Sequence, residues 1–322
     1  MAHVLITTDY LIPGDSVDQL LRQQGHETVF NPYFGPRKAE ERETLLQGFD
    51  AAILASEPIT AEMIRAADGL KILARSGVGY DSIDVTTASA HGVAVCNAPG
   101  TNHHSVAELT IGMMIASARH LVEVSNRVRA GEWPRQAGGE LRGSTLGVIG
   151  YGFSGRAVAK LGVALGMRVL VVTSHPDSTD HDVEFVEFDE ALRQSDYLSL
   201  HAKADPSSPP ILDAKTLGAM KPTATVINTG RGSLIDETAL AQALRSGAIA
   251  AAALDVLSAE PLPPDSPLRG LDNVIITSHL AGQTVQARMR AGEAAAQAVI
   301  DTLNGQEPAH RVPSSSPKGT ES

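Results

Sequence analysis

Cysteine and aromatic residues are scarce in this chain of 322 residues: one cysteine, one tryptophan and 4% aromatics overall. The lone thiol, Cys96, excludes an internal disulfide and suits a reducing compartment. No apolar run approaches the roughly 20 residues that a membrane-crossing helix requires. The start, Met1-Ala-His-Val-Leu-Ile6, lacks the basic region and long apolar stretch of a signal peptide, so a cytoplasmic protein is expected. A basic excess is also missing. Lys and Arg number 26 against 37 Asp and Glu, a formal charge of −11. That balance speaks against nucleic acid and anionic membrane as partners. A small anion would need arginines placed locally to overcome the field. What remains is a soluble globular composition, 43% hydrophobic and long enough for two domains.

Strand and helix patterns alternate over the first hundred residues. Val4 to Thr7, Thr28 to Phe30, Ala51 to Leu54, Lys71 to Ala74 and Val93 to Cys96 read as strands. Ala39 to Gln47 and Thr60 to Ala67 read as helices, the second with Thr60 as its N-cap. A helix from about Ser105 to His120 follows, then an irregular stretch from Gly131 to Gly139 that holds Trp133 and has the look of an arm packing on a second subunit. A second alternating series runs from Leu146 to Thr277, and a helix spans about Val285 to Leu303. Such alternation implies parallel sheets covered on both faces. The Ser- and Pro-rich residues 313–322 offer nothing apolar to bury and read as a disordered tail.

Three side chains stand just past short apolar runs of the second series. Arg231 follows Thr225 to Asn228, Glu260 follows Ala250 to Asp255, and His279 follows Val274 to Thr277. Ligands of open α/β sheets bind outside the carboxyl ends of the strands. A guanidinium there suits a planar carboxylate, because its fork is bidentate and always charged. An imidazole, with a reference pKa of about 6.5, exchanges protons near neutrality. Glu260 is expected to accept an imidazole N–H, orienting the ring and favouring its protonated form. Asp255 stands at a strand end of the same series. An arbitrary member of the eleven histidines would be a solvated surface group; the strand-end context separates His279.

Upstream lies Gly147-Val-Ile-Gly150-Tyr-Gly152-Phe-Ser-Gly155, between an apolar strand pattern and a helix pattern. Gly150 suits the tight turn, Gly152 the approach of a pyrophosphate, and Gly155 close helix–strand packing. The fingerprint opens near residue 147, after a full α/β unit, so the cofactor domain is expected as an insertion. The final helix is then expected to return to the first domain. An acid for the adenosine ribose of NAD belongs at the end of the next strand, but Thr173 stands there. Ser174 and His175 can hydrogen-bond a 2′-phosphate, and no arginine lies immediately in the loop. NAD or NADP is therefore the expected cofactor, with relaxed or NADP-leaning choice.

These motifs resemble the D-isomer-specific 2-hydroxyacid dehydrogenases to about residue 312. The resemblance rests on Arg75-Ser-Gly-Val-Gly-Tyr-Asp81, Asn97-Ala-Pro-Gly100, Ser105-Val-Ala-Glu108, the glycine turn, Asn228-Thr-Gly-Arg-Gly-Ser233, Asp255 through Glu260-Pro261, and Ser278-His-Leu-Ala281. The chain is most similar to the branch of phosphoglycerate dehydrogenases and hydroxypyruvate reductases. The resemblance implies two doubly wound parallel-sheet domains separated by a cleft. One is a flavodoxin-like substrate domain, residues 1–100 plus 288–312; the other is a Rossmann cofactor domain, residues 101–287. It implies hydride transfer between NAD(P)H and C2 of a small 2-oxo acid, with Arg231, Glu260 and His279 as the catalytic trio. Cofactor contacts carry over to Val78, Gly150, Gly152, Phe153, Ser154, Gly155, Thr173, Ser174, His175, Ala202, Thr229, Gly230, Asp255, His279 and Gly282. Substrate contacts carry over to Arg75, Gly77, Val78, Gly79, Arg231 and His279. A homodimer through the cofactor domain is implied, and no metal. Besides Thr173, the sequence departs from the family pattern at Ser278, where proline is usual, and at His201-Ala-Lys-Ala204, which lacks a usual proline. A phosphite dehydrogenase and an NAD(H)-sensing corepressor of the same fold are the alternatives. The presence of Glu260 argues against a formate dehydrogenase.

Overall fold

Two runs of alternating strands and helices build two parallel sheets in the computed structural model, which describes residues 1–177, 179–205 and 208–313. The tail read as disordered lies, from 314 onward, outside the described residues. The chain divides into unit 1, Met1–Asn102 with Thr284–Ser322, and unit 2, His103–Gln283.

Unit 1 begins with β1 (His3–Ile6), α1 (Ser16–Gln23), β2 (Glu27–Phe30), α2 (Ala39–Thr44) and β3 (Ala51–Leu54). It continues with α3 (Ala61–Arg65), β4 (Ile72–Arg75), α4 (Val85–Ala90) and β5 (Ala94–Cys96). The five parallel strands lie in the order β2-β1-β3-β4-β5, the flavodoxin-like order, so the topological switch falls between β1 and β3. Side chains alternate across β1: Val4 and Ile6 enter one core layer, Leu5 the other.

Unit 2 runs α5 (His103–Ala118), α6 (Leu121–Arg129), β6 (Thr145–Ile149), α7 (Phe153–Ala164), β7 (Arg168–Val172) and β8 (Glu184–Phe185). Then come α8 (Phe188–Gln194), β9 (Tyr197–Leu200), α9 (Ala214–Gly218), β10 (Thr225–Asn228), α10 (Glu237–Ser246), β11 (Ala251–Leu254) and β12 (Val274–Ile276). Its seven strands lie in the order β12-β11-β10-β9-β6-β7-β8, and the switch falls between β6 and β9. Two apolar layers sandwich this sheet, as a parallel sheet covered on both faces requires.

The last helix, α11 (Val285–Leu303), belongs to unit 1. Its Ala295, Ala296, Ala298, Val299 and Ile300 join Val4, Ile6, Ile53 and Ile72 in one core layer. The Thr284 hydroxyl caps it by accepting from Ala287 N at 3.2 Å. Among the described residues no helix is long and apolar enough to cross a membrane.

Several local expectations need correction. The sequence pattern left 121–129 without an element, yet these residues form α6; none of its residues is buried, so no buried stripe marks it. The expected helix from Ala39 to Gln47 closes at Thr44, and that from Thr60 to Ala67 narrows to α3, with Thr60 capping it through Met63 N at 3.5 Å. The helix expected to start at Ser105 already begins at His103.

Candidate active site

β10, β11 and β12 are parallel neighbours, so their carboxyl ends share one edge of unit 2. The turns carrying Arg231, Asp255 and His279 leave the sheet there. Each turn is fixed by a different device.

The Arg231 turn is clamped by Asn228, which is fully buried. Its Oδ1 accepts from Gly230 N at 3.0 Å and its Nδ2 donates to Arg231 O at 2.9 Å. An Asx side chain thus substitutes for the ladder that β10 leaves behind. Arg231 itself is part-buried, and its Nη1 donates to Gly230 O at 2.9 Å. Gly232 presses this turn onto the next one. A Cβ there would lie 1.9 Å from the backbone carbon of Leu257. The buried hydroxyls of Thr229 and Thr110 meet at 2.9 Å, joining the turn to α5.

The His279 turn hangs on Asp255, whose side chain is 1% exposed. Its carboxylate accepts from Thr277 Oγ1 at 2.5 Å, Leu280 N at 2.7 Å and Ala281 N at 2.8 Å. The backbone N–H of His279 donates to Asp255 O at 2.9 Å. His279 adopts φ of 59°, the left-handed region that an L-residue enters only where its surroundings hold it. Sequence reasoning assigned Asp255 a cofactor contact and missed this positioning role. Its signal was a carboxylate at a buried strand end facing a turn rich in free N–H groups.

Glu260 uses both oxygens. Oε1 accepts from Leu257 N at 3.0 Å, and Oε2 lies 2.9 Å from His279 Nδ1. The pair is half exposed, so its worth is orientation rather than stability. With Nδ1 engaged, Nε2 is the nitrogen left to exchange a proton with a ligand. The structure therefore joins Glu260 to His279 directly and joins the Arg231 turn to the Glu260 segment through Gly232.

The glycine turn sits at the switch point of the same sheet. Gly150 adopts φ of 96°, and a Cβ on it would come within 2.5 Å of Ala202 N. A Cβ on Gly155 would lie 2.0 Å from Gly150 O. Both positions admit only hydrogen. At Gly152 a Cβ would meet nothing within 4 Å, so that side is an open cradle. Gly152 is also the N-cap of α7, without a side-chain cap and without an acid in the first turn. Asp or Thr side chains cap α1, α3, α4, α9, α10 and α11. The uncapped N–H groups of α7 fit a bound pyrophosphate. Phe153 opens the helix 63% exposed, beside the His103 ring at 5.9 Å.

Around this turn the structure adds two residues that sequence reasoning missed. His201 follows β9, its Nε2 2.8 Å from Ser199 Oγ. Burial lowers its pKa to about 4, so the ring is neutral at physiological pH. Arg156 of α7 lies over the Tyr151 ring at 4.5 Å and pairs with Asp177 at 3.1 Å. An arginine thus does reach the loop after β7, although none is close in sequence. Thr173 accepts from His175 N at 3.2 Å there, and Ser174 and His175 are exposed. Lys203 points to solvent.

In unit 1, Arg75 ends β4 and the loop Gly77-Val78-Gly79 follows. Asn97 Nδ2 donates to Val78 O at 2.7 Å, and Ala98 N donates to Gly77 O at 2.9 Å, which fixes the loop on the β5 side. The Arg75 guanidinium folds back: Nη1 donates to Ser76 O at 2.7 Å.

Comparison with known proteins places these features in context. Residues 111–281 match the model of the D-isomer specific 2-hydroxyacid dehydrogenase, NAD binding domain. A hydroxypyruvate reductase of Thermotoga maritima is 40% identical over 245 residues, covering 74% of this chain and 80% of the relative. A D-3-phosphoglycerate dehydrogenase of Archaeoglobus fulgidus is 39% identical over 263 residues, 80% of this chain but 50% of the relative. The chain therefore spans about half the length of that relative. Among solved structures, the TT0316 protein from Thermus thermophilus superposes with a TM-score of 0.86 at 35% identity, covering 96% of this chain and 99% of that one.

Proposed function

This chain belongs to the D-isomer-specific 2-hydroxyacid dehydrogenase family, an NAD(P)-dependent oxidoreductase family, and from that premise we propose how its own residues divide the work. The observation that carries the reading is the 2.9 Å contact between Glu260 and His279 at the strand edge that also bears Arg231. Arg231 holds the carboxylate of a small 2-oxo acid and polarises its C2 carbonyl. A nicotinamide cofactor, when bound, would supply the hydride for C2. His279 Nε2 gives its proton to the C2 oxygen, so that the 2-oxo acid becomes a 2-hydroxy acid. Oxidation runs the same steps backwards. Glu260 holds the ring by its Nδ1, and Asp255 holds the turn beneath it. In unit 1, Gly77 N donates to Arg75 O at 2.9 Å, so a carboxylate at the Gly77-Val78-Gly79 loop would fall to the N–H groups of Val78 and Gly79.

The α7 N-terminus with Gly152, Phe153, Ser154 and Gly155 would hold the pyrophosphate of the cofactor, and Thr173, Ala202, Thr229, Gly230 and Gly282 would make the neighbouring contacts. A 2′-phosphate meets no carboxylate at Thr173 and finds Ser174, His175 and Arg156 near the same loop. Asp177 opposes it. This supports use of both cofactors over strict NAD choice. Reduction of glyoxylate and hydroxypyruvate, each with NADH and NADPH, tests the reading, with phosphite as a control. The expected result is turnover of both acids, a kcat/KM ratio between the cofactors within about tenfold, roughly 1.4 kcal/mol, and no oxidation of phosphite. Cofactor binding without turnover of any 2-oxo acid would contradict it.

We also read the chain as a cytoplasmic homodimer associating through unit 2. The support is the exposed apolar set Leu121, Val122 and Val128 of α6 together with Trp133, which is 81% exposed. Sedimentation should give twice the chain mass of 33.8 kDa; a monomer at micromolar concentration would defeat this.

A further inference from the structure

Two consecutive backbone N–H groups in the turn that carries Glu260 end on carboxylates. Leu257 N donates to Glu260 Oε1 at 3.0 Å, an acceptor the turn supplies from within itself. Ser258 N donates to Glu237 Oε1 at 2.6 Å, and that carboxylate comes from the first turn of α10. Ser258 is exposed, where water alone would satisfy a backbone N–H. Instead an acid 21 residues away in sequence takes it, in a short charge-assisted bond.

The platform under Glu237 is fixed. Asp236 N donates to Leu212 O at 2.9 Å. The Asp236 side chain caps α10, accepting from Thr238 N at 2.9 Å and Ala239 N at 3.0 Å. Leu234 and Ile235, just before it, are buried in the same apolar layer as Leu257. Asp236 already serves as the cap, so Glu237 reaches sideways to the neighbouring turn. The connection that presents Glu237 also carries Arg231. It leaves β10, passes Arg231 and the short 3₁₀ turn Gly232–Leu234, and enters α10 at Glu237. It therefore meets the Glu260 turn twice: Gly232 lies close against Leu257 and Ser258, and Glu237 binds Ser258 N.

Glu260 has two tasks, Oε1 on its own turn and Oε2 on His279 Nδ1. A turn held only from within moves together with the carboxylate it carries. A clamp from outside lets that carboxylate stay on the imidazole. We propose that Glu237 is a positioning residue for the proton transfer: by accepting from Ser258 N it fixes the Glu260 turn, so that Glu260 Oε2 keeps the hydrogen of neutral His279 on Nδ1. Glu237 acts through the turn and not on a reacting atom. The proposal rests on the reading of His279 as proton donor and Glu260 as its partner.

Two measurements on the full chain test it. One is steady-state kcat and KM for glyoxylate and hydroxypyruvate. The other is long-range ¹H–¹⁵N correlation of the histidine rings in cofactor-free protein, with His279→Ala identifying the signal; it reads the tautomer of the neutral ring without requiring turnover. Glu237→Ala should lower kcat by about tenfold or more, the scale of a displaced catalytic turn, with KM within about threefold. It should also shift His279 towards the tautomer with hydrogen on Nε2. Glu237→Gln, whose amide oxygen still accepts from Ser258 N, should restore kcat to within about threefold of wild type and keep the hydrogen on Nδ1. In a Glu260→Ala background, Glu237→Ala should have no further effect on kcat. Equal losses in the alanine and glutamine variants would overturn the proposal, because the charge and not the accepted hydrogen bond would then matter. An unmoved tautomer, an unchanged kcat, or losses that persist without Glu260 would also overturn it. Should Glu237→Ala melt early, Glu237→Asp decides: it keeps an acid in the first turn of α10 but is too short to hold Ser258 N, so it must reproduce both losses. A tautomer that shifts in a protein reducing no 2-oxo acid would defeat the reductase reading and leave the clamp standing.

Discussion

Replacing His279 with alanine lowers kcat by roughly 10²–10⁴-fold, the scale of a lost general acid, while the affinity for reduced cofactor stays within about threefold. The separation follows from the geometry. The ring is held through Nδ1 by Glu260 at 2.9 Å, while its backbone is held independently by Asp255. Alanine removes the proton donor and leaves the turn anchored, because Leu280 N and Ala281 N still donate to the Asp255 carboxylate. Stopped-flow turnover and fluorescence quenching of the cofactor check the two halves. Unchanged turnover would remove His279 from the chemistry. The left-handed backbone at His279 costs alanine something as well, so the melting temperature should fall slightly.

Gly232→Ala has the second large effect, and it acts without touching any reacting group. The added methyl would sit 1.9 Å from Leu257 C and 2.3 Å from Ser258 N, atoms of backbone that cannot rotate aside. One of two turns must move: that of Arg231 or that leading to Glu260. Overpacking of this kind costs about 1–3 kcal/mol, and backbone against backbone belongs at the upper end. A shift near 1 Å in a catalytic turn costs on the order of 10²-fold in rate. Denaturant unfolding and kcat/KM should therefore both fall. Gly218→Ala, in α9 where a Cβ would meet nothing within 4 Å, is the control and should leave kcat/KM unchanged while stability stays level or rises by up to about 1 kcal/mol. Equal behaviour of the two variants would show that the contact between the turns has no consequence.

Much of this site could be read from the sequence because it depends on strand ends. A short apolar run followed by Arg, or by Ser-His, marks a buried parallel strand and what leaves it, and β10, β11 and β12 lie where those runs stand. The glycine turn was equally readable, since only glycine satisfies the contacts at positions 150 and 155. Other features needed three dimensions. Arg156 reaches Asp177 across 21 residues of sequence, and Thr110 reaches Thr229 across 119. No local pattern encodes either. Asp255 was visible as a residue but not as the anchor of the His279 turn, because its donors belong to another strand's end. Glu57 was named from the sequence only as one of several first-domain residues, with Thr8, Tyr10, Pro58 and Arg75, that could face a substrate. Its burial, at 2% exposed, needed three dimensions.

The central claim is that Glu260 acts through His279 and not on its own. A double-mutant cycle tests it most directly, with kcat for 2-oxo acid reduction measured in wild type, His279→Ala, Glu260→Gln and the double variant. The account predicts that Glu260→Gln slows wild type severalfold or more and that the same change in the His279→Ala background has no further effect. Losses that multiply across the two sites would contradict it, because Glu260 would then contribute independently of the imidazole it holds.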